Sequence, residues 1–135
     1  LTNDYSNRTT VGYDKLGSLT TQCDFTDAFQ FNELISGIIT ISSLITKISI
    51  RGQSLSILNK CTGLRLTNAG SLFAGTSPQI DISNTSLDVA AIALLFGDLP
   101  TLTGKTIRIT GATGAADTSN DAIATAKGWT INRTT

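Results

Sequence analysis

The sequence predicts an α/β fold, a solenoid of short parallel strands with short helices or irregular arcs on its convex side. Four segments share the pattern apolar-x-apolar-x-Gly/Asn: Ile48-Ser49-Ile50-Arg51-Gly52, Leu64-Arg65-Leu66-Thr67-Asn68, Ile80-Asp81-Ile82-Ser83-Asn84 and Ile107-Arg108-Ile109-Thr110-Gly111. Their starts lie 16, 16 and 27 residues apart, and the intervening segments of about 13 to 24 residues are long enough for the crossovers that parallel pairing requires. Two of the later segments also carry helix start and stop signals.

Each element has a local reason. A three-residue alternation is the mark of a half-buried strand, so Ile48, Ile50, Leu64, Leu66, Ile80, Ile82, Ile107 and Ile109 point one way. A strand this short buries its face only by stacking on neighbours. The Gly or Asn after it serves a sharp exit, through positive φ or an inward side-chain hydrogen bond to the turn. The first two linkers are rich in Ser, Gly, Asn and Lys and read as irregular arcs. Leu87 to Phe96 reads as a helix, with Ser86 as N-cap, Asp88 in the first turn and Gly97 as the stop, after which Leu99-Pro100 turns the chain back. Asp121 to Lys127 reads as a second helix, capped by Ser119 or Asn120 and ended by Gly128. A fifth, partial copy begins at Ile131-Asn132, and Phe29-Gln30-Phe31 is a degenerate first one. Leu34 to Ile50 reads either as two strands or as a strand after a short helix around Asp24 to Ile35, the second being slightly favoured. Residues 1–36 are expected to form an N-terminal arm or connecting segment, and 37–135 the solenoid with its C-terminal cap.

Composition acts mostly by exclusion. The 135 residues include 22 Thr, 13 Ser and one Glu, Glu33, with no His and no Met. Without His there is no Ser-His-Asp or Cys-His relay and no His-ligated metal. Ten basic and ten acidic side chains give zero formal charge, against a broad electrostatic attraction to nucleic acid or anionic membrane. The longest apolar stretch, Leu87 to Phe96, is interrupted by Asp88 and is too short for the roughly 20 residues that span a bilayer. Leu1-Thr2-Asn3-Asp4 has no signal-peptide character, so a removed leader or a longer parent polypeptide is expected. Cys23 and Cys61 fit either one disulfide or two buried thiols, and they lack the spacing of a zinc site.

The strand pattern resembles the strand-and-turn half of a leucine-rich repeat over roughly residues 48 to 135, with Ile in place of Leu at most positions. The end of the chain is more specific. Phe96-Gly97-Asp98-Leu99-Pro100, Thr106-Ile107-Arg108-Ile109-Thr110-Gly111-Ala112-Thr113-Gly114-Ala115 and Ile123-Ala124-Thr125-Ala126-Lys127-Gly128-Trp129-Thr130-Ile131 are similar to a terminal module of tail-associated and surface proteins of bacteriophages and Bacteroidetes-type bacteria. In that family the Ala-x-x-Lys-Gly-Trp-x-Ile/Val element closes the solenoid. Trp129 is large and amphipathic enough to cover an open core. The resemblance implies binding surfaces and structural parts, with no catalytic residues to carry over.

The candidate chemistry is sparse. Gly104-Lys105-Thr106 lacks the earlier glycine of a phosphate-binding loop, since Leu99 stands there, and it precedes a strand where the loop should follow one. Gly111 to Ala115 is likewise a turn. Asp24 and Asp27 with Glu33, and Asp117 with Asp121, are the clustered carboxylates. They read as caps and solvated turns more readily than as a glycosidase pair. Three N-x-S/T sites, at Asn7, Asn84 and Asn132, are no more than chance supplies in so hydroxyl-rich a chain.

The candidate binding surface is the outward strand face: Ser49, Arg51, Arg65, Thr67, Asp81, Ser83, Arg108 and Thr110. With the four strands adjacent in order, Arg65, Asp81 and Arg108 would stack about 4.8 Å apart. Ile80 and Ile82 should then be buried, with Asp81 exposed between the two arginines. This face reads as a charge ladder that sets register, or as a recognition face for a glycan or protein.

These observations lead to the expectation of a non-enzymatic bacteriophage virion protein of the tail, fibre or spike, used in assembly or host attachment. The alternative is a bacterial cell-surface adhesin domain binding protein or glycan. A third reading, of a different class, is a fragment of a carbohydrate-active enzyme built on Asp24 and Asp27. The expected location is the virion or extracellular surface. Other virion or surface proteins and a host receptor or glycan are the expected partners, a homo-oligomer being compatible with the role. No nucleic acid, membrane insertion, metal or cofactor is expected.

Overall fold

A computed structural model describes residues 10–13, 23–25, 37–41, 45–52, 60–67, 73 and 75–134. Over these residues the chain is mixed α/β. The order is β1 (Thr10–Tyr13), β2 (Cys23–Phe25), β3 (Gly37–Ile41), β4 (Ile45–Ser49), β5 (Cys61–Leu66), β6 (Ile80–Asp81), α1 (Val89–Asp98), β7 (Lys105–Arg108), α2 (Asp121–Thr125) and β8 (Trp129–Asn132).

The strands form two wholly parallel sheets, one ordered β1-β3-β5 and the other β2-β4-β6-β7-β8. From β1 to β6 the chain alternates between them, odd strands in the first sheet and even strands in the second. Beyond β6 only the second sheet receives strands, and the intervening positions are taken by α1, packed on β5, and α2, packed on α1 and β8. The sheets reach into the 1–36 segment, where β1 pairs with β3 and β2 with β4. Leu34 to Ile50 contains two strands, β3 and β4. The favoured strand-after-helix arrangement gives way to the other, because Ile39 and Ile41 alternate inward just as Ile48 and Ile50 do. Phe29-Gln30-Phe31 lies outside the described residues.

This alternation corrects the predicted strand order. Ile48, Ile80, Ile107 and Ile131 stand side by side in the second sheet, successive members 32, 27 and 24 residues apart. Leu64 and Leu66 belong to the other sheet, opposite Ile39 and Ile41. The 16-residue spacing therefore separates strands of different sheets and not neighbours in one sheet. Alternating hydrophobicity is a local signal that both sheets need equally, so it cannot report which sheet a strand joins.

The core lies between the sheets and under the helices. Ile48, Ile50, Ile80, Ile82, Ile107 and Ile109 are all fully buried, together with Ile39, Leu64, Phe73, Leu95 and Phe96. Each such side chain contributes about 1.5–3 kcal/mol by leaving water. Trp129 is buried as well, its ring edge-on to Phe73 at 5.1 Å and its Nε1 donating to Pro100 O at 2.8 Å. The strand exits stack too. Asn84 has φ 55° and Gly111 φ 70°, and the Asn84 amide lies against Gly111 and donates to Gly52 O at 3.5 Å.

The first helix departs from expectation at both ends. Its cap is Asp88, whose Oδ1 accepts the Ala91 N–H at 2.8 Å, and not Ser86. It runs through Gly97 to Asp98 and stops at Leu99, with φ −60° and ψ 136°, because Pro100 forbids helical geometry to the residue before it. The carbonyls at its end, Phe96 O and Gly97 O, accept from Lys127 Nζ at 3.0 and 2.5 Å, a cation at the negative pole of the helix. The second helix stops earlier than Lys127, at Thr125, and Gly128 follows with φ 88°.

β5 is the last strand of its sheet, and its outer edge is occupied. Ser86 N–H donates to Cys61 O at 3.1 Å, and Asp98 Oδ2 accepts the Leu66 N–H at 3.0 Å. Asp98 thus supplies an acceptor where a further strand would have placed a carbonyl.

Candidate functional site

The outer face of the five-stranded sheet is built from residues that alternate with the buried isoleucines. Pairing places Ser49, Asp81, Arg108 and Asn132 in one transverse row. The ladder continues past the strand ends, with Gly52 N–H on Ser83 O and Asn84 N–H on Thr110 O. A second row therefore holds Arg51, Ser83 and Thr110, and Thr134 joins it by accepting from Thr110 Oγ1 at 3.0 Å. Six of the eight predicted face residues are brought together here.

The other two are elsewhere. Arg65 and Thr67 sit at β5 of the first sheet, so Arg65 is not a neighbour of Asp81. Its guanidinium instead makes a two-point contact with Asp98, Nε to Oδ2 at 2.6 Å and Nη2 to Oδ1 at 3.0 Å. That carboxylate raises the arginine's pKa still further above its ordinary value, by hydrogen bonding and then by charge. Thr67 is exposed, and its N–H closes the ladder to Ile41 O at 2.9 Å.

Asp81 is also not exposed. It retains 5% of its accessible surface, and Ser49 and Ser83 are comparably buried. The Asp81 side chain turns along its strand to accept the Ser83 N–H on Oδ1 at 3.0 Å, and Oδ2 faces Arg108 Nη1 at 3.6 Å. Ser49, not Arg65, flanks it on the other side. The Ser83 Oγ and Arg108 Nε are buried without a hydrogen-bond partner. Each such group costs about 1–3 kcal/mol relative to its satisfied state.

The sequence reading missed three contributors. Asn132 and Thr134 extend the rows, Asn132 Oδ1 accepting from Thr134 N at 2.9 Å, and the partial copy at Ile131 was the signal that could have found them. Gln79 is buried; its Oε1 accepts the Thr106 N–H at 2.7 Å and its Nε2 donates to Gly75 O at 2.8 Å. Side chain and backbone together join β6 to the start of β7, a role no local pattern announces.

Other candidates resolve into structural parts. Gly104, with φ 70°, makes the turn into β7, so Lys105 opens a strand as expected. Asp121 pairs with Arg133 Nη2 at 2.6 Å, and the same arginine donates to Ala115 O and Asp117 O, tying α2 to the preceding turn. Asp117 is held below the usual carboxylate range by hydrogen bonds from the side chain and backbone of Ser119. It borders an open depression of about 340 Å³ with Val89, Thr113, Gly114 and Ala116. Asp27 and Glu33 lie outside the described residues. Cys61 carries a fully buried thiol that donates to Gly63 O at 3.2 Å, and burial pushes its pKa up to about 11. Among the described residues no three His, Cys, Asp or Glu side chains gather as a metal site, and no helix is long and apolar enough to cross a membrane.

Comparison with protein-family models, curated proteins and solved structures finds no match to this chain.

Proposed function

We propose that the chain is a leucine-rich-repeat-like solenoid serving as a non-enzymatic part of a bacteriophage virion, in the tail, fibre or spike, where it acts in assembly or host attachment. One observation carries the reading. The chain returns to the same sheet at every circuit, so that Ile48, Ile80, Ile107 and Ile131 make one continuous inner row, beside a polar row of Ser49, Asp81, Arg108 and Asn132. Stacked parallel repeats present an extended surface suited to macromolecular partners, in contrast to the enclosing cleft that binds a small substrate. The virion assignment draws on the resemblance of the segment from Phe96 to Ile131 to terminal modules of phage tail proteins.

Two measurements test it. Mass spectrometry and immunogold labelling of purified virions should place the chain in the particle, and the isolated protein should compete with virions for adsorption to host cells. Recovery from the bacterial envelope and absence from virions would replace this reading by the cell-surface adhesin.

A further inference from the structure

Helix α1 carries no polar side chain from Val89 to Gly97, although the chain as a whole includes 22 Thr and 13 Ser. A helix with a core on one side and water on the other divides into an apolar and a polar face, and one that is apolar all round is buried all round. In α1 burial stops partway round. Ile92, Leu95 and Phe96 turn to the core, while Val89 and Leu94 are 36% and 52% exposed, and Ala90 and Gly97 are exposed beside them. With the half-buried Ala93, these residues cover about 140° of the helix surface. Ala90, Ala93, Leu94 and Gly97 stand at i, i+3, i+4 and i+7, the four corners of a hole that receives one side chain of a facing helix. Three corners are small, and Leu94 has the length to fill such a hole.

The two ends of this face carry opposite charges. Asp88 is exposed at the N-terminus, where its Oδ1 caps the Ala91 N–H. Lys127 Nζ lies at the C-terminus, on Phe96 O and Gly97 O. Neither makes an ion pair among the described residues, whereas Asp98 is already matched by Arg65. Between the two ends the face is uncharged.

We propose that this face binds a second copy of the chain, the two α1 helices running antiparallel about a two-fold axis between Ala93 and Leu94. Each Leu94 then enters the hole of the other copy, and Ala90 of one lies across from Gly97 of the other. The Asp88 end of each helix lies alongside the Lys127 end of its mate, with the helix dipoles opposed. The two-fold makes every match twice. A parallel pair would set Asp88 against Asp88. The contact is about 12 Å long along the helix, well below a standard interface, so the dimer forms with a Kd of about 10–100 µM. The inference is independent of the virion reading.

Sedimentation equilibrium from about 1 to 500 µM tests it, the 14.2 kDa chain approaching twice its mass at the top of that range. Leu94→Lys should weaken association about tenfold or more, and Ala90→Leu, which fills the hole with a good helix former, about as much. Asp88→Asn keeps the cap and removes the charge, and should weaken it about two- to three-fold at low salt. Ile38→Lys, at a residue 39% exposed on β3, should change nothing. Thermal melting of each variant at a concentration where the chain is monomeric establishes that it is folded, and Ala90→Leu keeps the test alive if Leu94→Lys is not. In a Cys23→Ala chain, where the Cys61 thiol is fully buried and a Cβ at Gly97 meets nothing within 4 Å, orientation is read by oxidation. Ala90→Cys chains should join Gly97→Cys chains in preference to their own kind. A monomer at every concentration, an association that Leu94→Lys and Ala90→Leu leave unchanged, or self-joining of Ala90→Cys chains as efficient as the mixed product would overturn the proposal. Phosphatidylcholine vesicles that float the wild type but not Leu94→Lys, with no self-association, would overturn it in favour of a lipid surface.

Discussion

Replacing Asp98 separates the two things that its carboxylate does. One oxygen accepts the Leu66 N–H at 3.0 Å, and the pair together grips Arg65. Leu66 is 4% exposed, so its N–H loses a charge-assisted bond in a dry setting, worth about 1.5–3 kcal/mol. The Arg65 side chain is 40% exposed, and solvent screening reduces the ion pair to about 1 kcal/mol or less. Asp98→Ala should therefore cost about 2–4 kcal/mol. Asp98→Asn keeps an oxygen for the N–H and should cost about 1 kcal/mol, close to Arg65→Ala. Urea unfolding with a common m-value reads these differences, and raising the salt to about 0.5 M should shrink the Arg65 contribution while sparing the Leu66 bond. A cost for Asp98→Ala no greater than that for Arg65→Ala would refute a contribution from the Leu66 bond, because the ion pair would then account for the whole effect.

Three further outcomes are expected. Burial raises the Cys61 thiol to about 11, whereas the unfolded chain deprotonates near 8.5–9. The unfolded state then sheds its proton first, and stability that is complete below about pH 9 should fall by roughly 3 kcal/mol as pH rises through 11. Cys61→Ala should flatten that portion of a urea-stability profile, and an unchanged slope would contradict the assignment. Gly111→Ala combines a left-handed φ of 70° with a Cβ placed on Asn84 Oδ1; about 2–3 kcal/mol should be lost by thermal unfolding, and Asn84→Gly in the same chain should recover part of it. Gln79→Ala strips the acceptor from Thr106 N–H and should cost about 1–3 kcal/mol, with faster amide exchange at Thr106 as the specific sign; protection at wild-type level would show that the bond contributes nothing.

What was legible in the sequence was whatever depends on near neighbours. The inward alternation of Ile80 and Ile82, the strand that follows Gly104, and the helices read at residues 87–96 and 121–127 all rest on spacing and capping within one turn or strand. Helix α1 shows where this stops: Ser86 and Asp88 both suit a cap, and only the geometry that brings Asp88 Oδ1 to Ala91 N–H decides between them. Sheet membership was illegible, because Leu64-Arg65-Leu66 and Ile80-Asp81-Ile82 carry the same alternation yet lie in different sheets. The candidate surface was legible to the same degree. Ser49, Arg51, Asp81, Ser83, Arg108 and Thr110 were foreseeable from register, whereas the partners of Arg65 and Gln79, 33 and 27 residues away, depend on the path of the chain.

The occupied edge of β5 has a consequence for behaviour at high concentration. An open parallel edge is a template on which another molecule's strand can assemble, and in this sheet one carboxylate and one amide of the following segment fill two of its bonding positions. Asp98 is thus also a guard against self-templating. A chain lacking it would meet its own copies with a vacant N–H at Leu66, so that a loss of solubility accompanies the loss of stability.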